Sequence, residues 1–540
     1  MKDSSLRKNF SDKLKELSEE IIYGMEQGII EDKRSIEKLK KKWCRENGIT
    51  TMPTNAQILM HIPDERKKEL KGLLQKKPVR TLSGVAVVAV MTDPHPCPHG
   101  RCIPCPGGPP FSAQSYTGRE PAAQRASMNN YDPFMQTNDR IKQLEVVGHT
   151  ADKIELIIMG GTFTARDFYY QEWFAKRCYD AMNGKVSKSL EDAKILNEKA
   201  THRCVGLTVE TRPDWFRLQH VDRALEIGAT RVELGAQILN DSVLYEMRRG
   251  HTVSDTADAT RIARDSGLKV CYHIMPGLPG SDREKDIESF KRMFSDSNFM
   301  PDMLKIYPTL VVKPSLLYQK WKKGGYKPLD TEEAVEIISE MKKYVPEWVR
   351  IQRVERDIPS NLIDAGVKKS NLRQLVHLKM EKEGNKCRCI RCREVGHREY
   401  KDKLKIEEVE MVRREYEAGG GKEIFLSFED TKNDTIVGYC RLRFPALPHR
   451  PEIGDNDAVV RELRVSGSIV PIGEKADGEW QHRGYGRKLL REAEEIAREA
   501  GKEKILVLSG IGVREYYKKL GYERDGVYMS KKLDQENSVR

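Results

Sequence analysis

Seven short apolar runs recur between about residues 82 and 375: GVAVVAVM, KIELIIMGG, CVGLTVE, RVELGAQ, KVCYHIMPG, MLKIYP and WVRIQRV. Each is too short for a helix and rich in β-branched side chains, so each predicts a strand. The stretches between them, such as SVLYEMRRG and TADATRIARDSG, space their apolar residues as a helix does. Strand alternating with helix implies parallel strands, with both faces of the sheet buried. The pattern predicts a sheet curled into a full or partial barrel, with reactive residues on loops after the strands' carboxyl ends.

The loop after the first strand is unusual. Residues 95–108, HPCPHGRCIPCPGG, hold three cysteines, four prolines and three glycines in fourteen positions. No helix tolerates that density of breakers, and a strand fares little better. Three thiolates on one short loop, from Cys97, Cys102 and Cys105, can hold three irons of a [4Fe–4S] cube and leave the fourth iron open. An open iron can chelate the amino and carboxylate groups of S-adenosylmethionine. The rival is a zinc loop with His95 or His99 as fourth ligand. Position favours iron and sulfur, because the loop lies at the catalytic rim and the second strand ends in MGGTF. There Gly160 and Gly161 can present bare backbone to a ligand's amino group.

Six of the eleven cysteines fall in two tight clusters, which points to metal. The second cluster, Cys387-x-Cys389-x2-Cys392, lies in a charged linker at 376–403 with His397 five residues on. Structural zinc bound by the three thiols and His397 is the expectation, and an auxiliary iron–sulfur cluster is its rival. Residues 404–540 read as an α+β domain. The runs EIFLSFED, TIVGYCRLRF and AVVRELRVSG precede a helix RGYGRKLLREAEEIAREAG, a strand KILVLS and a last helix–strand pair. The segment QHRGYGRKLL sets Gln481, Gly484 and Gly486 at that helix's start, where free N–H groups and the dipole favour a pyrophosphate.

Residues 1–80 look helical, with Leu14, Leu17, Ile21 and Ile22 on one face. They carry 19 Lys and Arg against 13 Asp and Glu, so +6 of the chain's formal +12 sits there. The excess suits a polyanionic partner, although a solvated helix face has the same composition. Apolar runs such as VAVVAVM are far too short to span a bilayer, so no membrane is expected. The first residues lack the apolar core of a signal peptide, which predicts a cytoplasmic protein.

The segments CPHGRCIPCPGGP, QSYTGREP, YDPFMQT, MGGTFTA, GLTVETRPDWF, RVELGAQ and MPGLPG, in this order, resemble the radical-SAM half of the Elongator catalytic-subunit family. The Cys97-x4-Cys102-x2-Cys105 spacing departs from the common CxxxCxxC, as that family's does. The C-terminal part is similar to the same family's GNAT acetyltransferase-like domain. The resemblance implies an α/β chain: basic helical 1–80, a radical-SAM partial barrel over 81–375, the metal-pinned linker, and a GNAT fold over 404–540. By matched position it places acetyl-CoA against Glu462, Leu463, Arg464, Val465, Gly484, Tyr485, Gly486, Arg487 and Tyr517, with Lys153 from the barrel half. Tyr517 would donate a hydrogen bond or proton to the departing thiolate, and Tyr516, beside it, is the second candidate though its helical position turns it elsewhere.

A radical generator fused to an acetyl-CoA binder has one joint use. The resemblance implies C5 carboxymethylation of the wobble uridine, U34, in a tRNA anticodon loop. A 5′-deoxyadenosyl radical activates the acetyl methyl, the methyl carbon adds to C5, and thioester hydrolysis leaves a carboxymethyl group. The basic N-terminal region would grip tRNA phosphates. A protein lysine acetyltransferase with a structural iron–sulfur domain is the alternative, with Glu462 as general base. A non-catalytic tRNA-binding scaffold is a third reading. Whether a homodimer or accessory subunits complete the assembly is open at this level.

Overall fold

The computed structural model describes residues 2–533, apart from 50–51, scattered positions between 54 and 72, 75–82, 403, 405, 407, 468–479 and 481–482. Gln481 therefore lies outside the described residues. The N-terminal region is helical, with helices Lys2–Glu26 and Lys33–Glu46, the second capped by Asp32, whose carboxylate accepts the Ser35 N–H. Leu17, Ile21, Ile36, Trp43, Ile58 and Leu70 close a small core of their own.

The predicted strands form one parallel sheet. Strands β1 (Ala86–Met91), β2 (Lys153–Met159), β3 (Arg203–Thr211), β4 (Arg231–Gln237), β5 (Lys269–Ile274), β6 (Met303–Ile306) and β8 (Arg350–Val354) pair in that order. The sheet is curled but not closed, a half-barrel. A separate ribbon pairs β7 (Val311–Val312) with β9 (Ile363–Ala365). Ile154, Leu156, Val209, Val232, Leu234, Val270 and Leu304 pack outward against the helices in the main core.

Inward positions are different in kind. In register across the sheet stand Thr208, Arg231 and Lys269, then Glu210 and Glu233, then His273 and Lys305. Barrel interiors are normally packed with branched apolar residues. This one carries charged groups among them: Glu210, Arg231, Glu233, Lys269 and Lys305.

The C-terminal sheet runs β10 (Glu410–Ala418), β11 (Gly421–Asp430), β12 (Thr435–Phe444), β13 (Asp457–Val465), β14 (Lys504–Val507), β16 (Tyr528–Lys532) and β15 (Glu523–Asp525). All neighbours are antiparallel except β13 and β14, which pair in parallel. That pairing holds only from Asp457↔Lys504 to Val460↔Val507, while β13 continues to Val465. The strands part company after Val460 and leave a cleft between them.

The second sheet seals the amino-terminal end of the first. At Gly510 a Cβ would lie 2.2 Å from the Val205 carbonyl oxygen, so only glycine lets the 510–513 turn rest on β3. Ion pairs stitch the seam: Arg461 of β13 donates to both oxygens of Asp302, at 2.7 and 2.8 Å, and Arg443 meets Asp265 at 2.6 Å. All four side chains are fully buried. Burying such pairs costs desolvation, and removing one partner typically costs about 3–5 kcal/mol, so the pairs specify one docking geometry.

Candidate active site

The three loop thiols face a cavity of about 160 Å³ at the carboxyl end of the half-barrel, which they line with Gly161, Thr162, Glu210 and Arg249. Each sulfur has a neighbour from a different element. Thr162 Oγ1 lies 3.4 Å from Cys97 Sγ, and the Gln114 amide donates to Cys105 Sγ at 3.0 Å. Arg249 donates to Cys102 Sγ at 3.7 Å, and His99 Nε2 lies 3.0 Å from the same sulfur. Burial pushes the Cys97 and Cys102 thiols up, and the Arg249 guanidinium pulls both back toward thiolate.

Spacing separates the two metal readings. Zinc bonds of about 2.3 Å place tetrahedral sulfurs under 4 Å apart. Among the described residues, Cys387, Cys389 and Cys392 bring their sulfurs within 4.8 Å of one another, whereas the three loop thiols form no such group. The loop thus fits a body wider than one ion, and the donors converging on its sulfurs suit an iron–sulfur cube. His95 is exposed at the rim. Gly160 and Gly161 have φ of +141° and +85°, a conformation other residues resist, and a Cβ on Gly160 would lie 2.0 Å from Thr92 Oγ1. Gly161 opens directly into the cavity.

At the second triad the expected fourth ligand needs correcting. His397 is not in the group; its Nε2 sits 3.7 Å from the buried Glu394 carboxylate. His377, on the helix Leu372–Lys382, comes instead to 3.7 Å from Cys392 Sγ, with Cys389 and Cys392 sulfurs 3.6 Å apart. Sequence proximity pointed to His397, but the short helix Val395–Asp402 turns it toward the β8 side, where Arg350 and Glu394 pair at 2.8 Å.

A larger cavity, about 530 Å³, lies where β13 and β14 diverge against the amino-terminal ends of β2–β5. Lys153, Glu462, Leu463, Arg464, Val465, Tyr516 and Tyr517 all line it. Gly484, Tyr485, Gly486 and Arg487 start the helix Tyr485–Glu499, with Gly484 at φ +87°, outside that lining. A Cβ on Gly486 would lie 3.1 Å from the Tyr516 hydroxyl, so this turn and the tyrosine pair adjoin. Burial raises Tyr517 above its usual range, which keeps it a proton donor. Tyr516 does not turn elsewhere, as the helical spacing suggested, because the helix is only Arg514–Lys518 and both tyrosines face the cavity.

Glu462 cannot be a free base. Arg441 Nε donates to it at 2.9 Å and the Tyr439 hydroxyl at 3.2 Å. The nearby cations Lys269 and Arg441 hold its carboxyl below the usual range.

The sequence patterns overlooked the half-barrel's inner charges. Glu233 accepts from His273 at 2.8 Å and pairs with Lys305; Tyr116 donates to Glu210 at 2.7 Å. The available signal was charge at alternate positions of otherwise apolar strands, Arg231 and Glu233 in RVELGAQ and Lys269 in KVCYHI.

Four family models match along the chain: the ELP3 N-terminal domain at 11–82, the radical SAM superfamily at 97–293, its C-terminal domain at 301–382, and the GNAT acetyltransferase family at 392–522. Over 509 residues, 92% of this chain and 93% of the other, it is 43% identical to the Homo sapiens Elongator complex protein 3. The chain belongs to the Elongator complex protein 3 family. Within that family, the tRNA uridine(34) acetyltransferase of Methanocaldococcus jannaschii is 57% identical over 512 residues, 93% of this chain and 95% of that one. The archaeal Methanocaldococcus infernus Elp3 with an N-terminal deletion superposes with a TM-score of 0.75 at 52% identity, covering 84% of this chain and all of that one. Radical SAM and GNAT domains imply S-adenosylmethionine, a [4Fe–4S] cluster and acetyl-CoA for an Elongator complex protein 3. No helix among the described residues is long and apolar enough to cross a membrane.

Proposed function

We propose that this chain is a tRNA-modifying enzyme that attaches the two-carbon unit of acetyl-CoA to C5 of the wobble uridine. The observation that carries the reading is the pairing of two cavities on one half-barrel, a three-thiol pocket at one end and a GNAT cleft at the other. Relatives named for tRNA uridine(34) support the substrate. Cys97, Cys102 and Cys105 would hold the [4Fe–4S] cluster, which together with bound S-adenosylmethionine supplies a carbon-centred radical able to break an unactivated C–H bond.

The chain's own residues do the rest. Gly161 presents backbone to the ligand's amino group, and Arg249 offsets thiolate charge. In the cleft, β13 residues Glu462–Val465 pair with the pantetheine chain, Lys153 faces its anionic end, and the turn at Gly484–Arg487 receives pyrophosphate. Tyr517 protonates the departing thiolate. The product is 5-carboxymethyluridine: the acetyl methyl gives up a hydrogen atom, its carbon bonds to C5, C5 then loses a proton and one electron to a one-electron acceptor, and water cleaves the thioester to free CoA. A single zinc ion on Cys387, Cys389 and Cys392, with His377 beside them, pins the linker. The basic N-terminal helices hold tRNA phosphates.

The lysine acetyltransferase alternative needs a general base in the cleft, and Glu462 is bound by Arg441 and Tyr439. Mass spectrometry of uridine from tRNA incubated with reconstituted protein, S-adenosylmethionine, reductant and acetyl-CoA tests the reading. A carboxymethyl adduct that disappears with Cys102→Ser is expected. Turnover of a lysine peptide by cluster-free protein as fast as that of tRNA would sink it.

A further inference from the structure

The two cavities are separated by one layer of side chains. On β3, Thr208 lines the GNAT-side cavity and Glu210, two residues on, lines the thiol-side cavity. On β4 the same holds for Arg231 and Glu233. Two residues along a strand span roughly 7 Å. The septum is an ion pair ladder: Arg231 pairs with Glu155 on one side and reaches Glu233 at 3.6 Å on the other.

That layer is short of hydrogen bonds. Among the described residues, Thr208 Oγ1 and Arg231 Nε are buried without a partner. Both residues are at least 97% buried, with 1% and 3% exposure. An unpaired buried donor is costly, so both groups are open to an acceptor that enters the layer. A thioester carbonyl is such an acceptor.

We propose that the acetyl end of acetyl-CoA crosses this layer between Thr208 and Arg231 and enters the thiol-side pocket through the half-barrel lumen, still attached to sulfur. The inference rests on the two-cavity reading above. No bond changes during the passage. Arg231 gates it by giving up its looser contact with Glu233 while it stays paired with Glu155, and Thr208 with Arg231 Nε–H donates to the carbonyl oxygen in transit. The thioester thereby meets the radical chemistry without release of a free two-carbon fragment.

The test uses reconstituted protein with trideuterated acetyl-CoA. Deuterium is expected in 5′-deoxyadenosine from the unaltered chain, and at least tenfold less in Thr208→Phe, which still cleaves S-adenosylmethionine within twofold. Thr208→Leu is read by the same criteria should Thr208→Phe not fold. Equal deuterium transfer in the blocked variant overturns the passage. Uridine modified at full rate by Thr208→Phe removes the passage and leaves the proposed function standing. An unaltered chain that binds acetyl-CoA and cleaves S-adenosylmethionine yet modifies no uridine removes that function as well.

Discussion

The two cysteine triads use the same ligand atom for different ends. Cys97, Cys102 and Cys105 sit on a loop without regular structure, and their sulfurs are held by Thr162, Gln114 and Arg249 from elsewhere in the chain. Cys387 and Cys389 follow the helix Leu372–Lys382, Cys392 lies in the short helix Ile390–Arg393, and the Cys389 and Cys392 sulfurs are 3.6 Å apart. The first triad is spread and exposed to a cavity; the second is compact and backed by the buried Arg350–Glu394 pair. Both triads contain an x2 pair, so the difference lies in how the fold holds them: the second set of sulfurs comes within 4.8 Å of one another, and among the described residues the first does not.

The largest expected effect breaks the two triads apart. Cys102→Ser should lower reductant-dependent formation of 5′-deoxyadenosine at least ~1000-fold while leaving the unfolding midpoint within a few degrees. Cys389→Ser should do the reverse, lowering the midpoint by roughly 10 °C because a structural metal contributes folding energy. Calorimetry and product analysis on the same preparations check both. Equal losses of activity in the two variants would erase the distinction.

Next in size is the seam behind the second triad. Glu394 is fully buried and accepts two bonds from Arg350, at 2.8 and 2.9 Å, and one from Ser466 at 3.0 Å. Glu394→Gln strands a buried guanidinium, which costs about 3–5 kcal/mol. Denaturant titration should show that loss, with cleavage of S-adenosylmethionine at the first triad unchanged per folded molecule.

A smaller effect belongs to the first triad alone. The Gln114 amide bonds Cys105 Sγ, and donors to a ligating sulfur favour the reduced state. Gln114→Leu should lower the cluster's midpoint potential by about 60 mV, a tenfold change for one electron. Redox titration followed by electron paramagnetic resonance reads it, and the iron and sulfide content should not change.

The strands and the first metal loop were legible because local rules wrote them. β-Branched runs between helical spacings leave little choice of sheet, and four prolines among three cysteines leave a loop. The lumen was less legible: Glu210, Glu233 and Lys305 look like ordinary charges until the register places them face to face. His377 was illegible for a simpler reason. It lies ten residues before Cys387 in the chain, and only the packing of the helix Leu372–Lys382 on Thr331–Lys343 brings it to the sulfur. Tyr516 was misplaced because a five-residue helix does not hold helical facing to its end.

The smallest expected effect is a pH dependence confined to the wall of the first site. Met275 lines the thiol pocket, and the turn that follows is tied to Asp286, which accepts the Gly277 N–H and the Ser281 hydroxyl, both at 2.7 Å. Burial pushes the Asp286 carboxyl up to about 6, against an ordinary value near 4. A raised folded value means the stabilising form is the protonated one. Its contribution is complete below about pH 4 and is lost as pH rises through about 6. The stability of the unaltered chain minus that of Asp286→Asn should therefore fall by about 2–3 kcal/mol between pH 4 and 7. Urea titrations at four pH values measure that difference. A flat difference would mean that packing of the buried Leu278 alone holds the turn, and the first site's wall would then be as rigid as the second's.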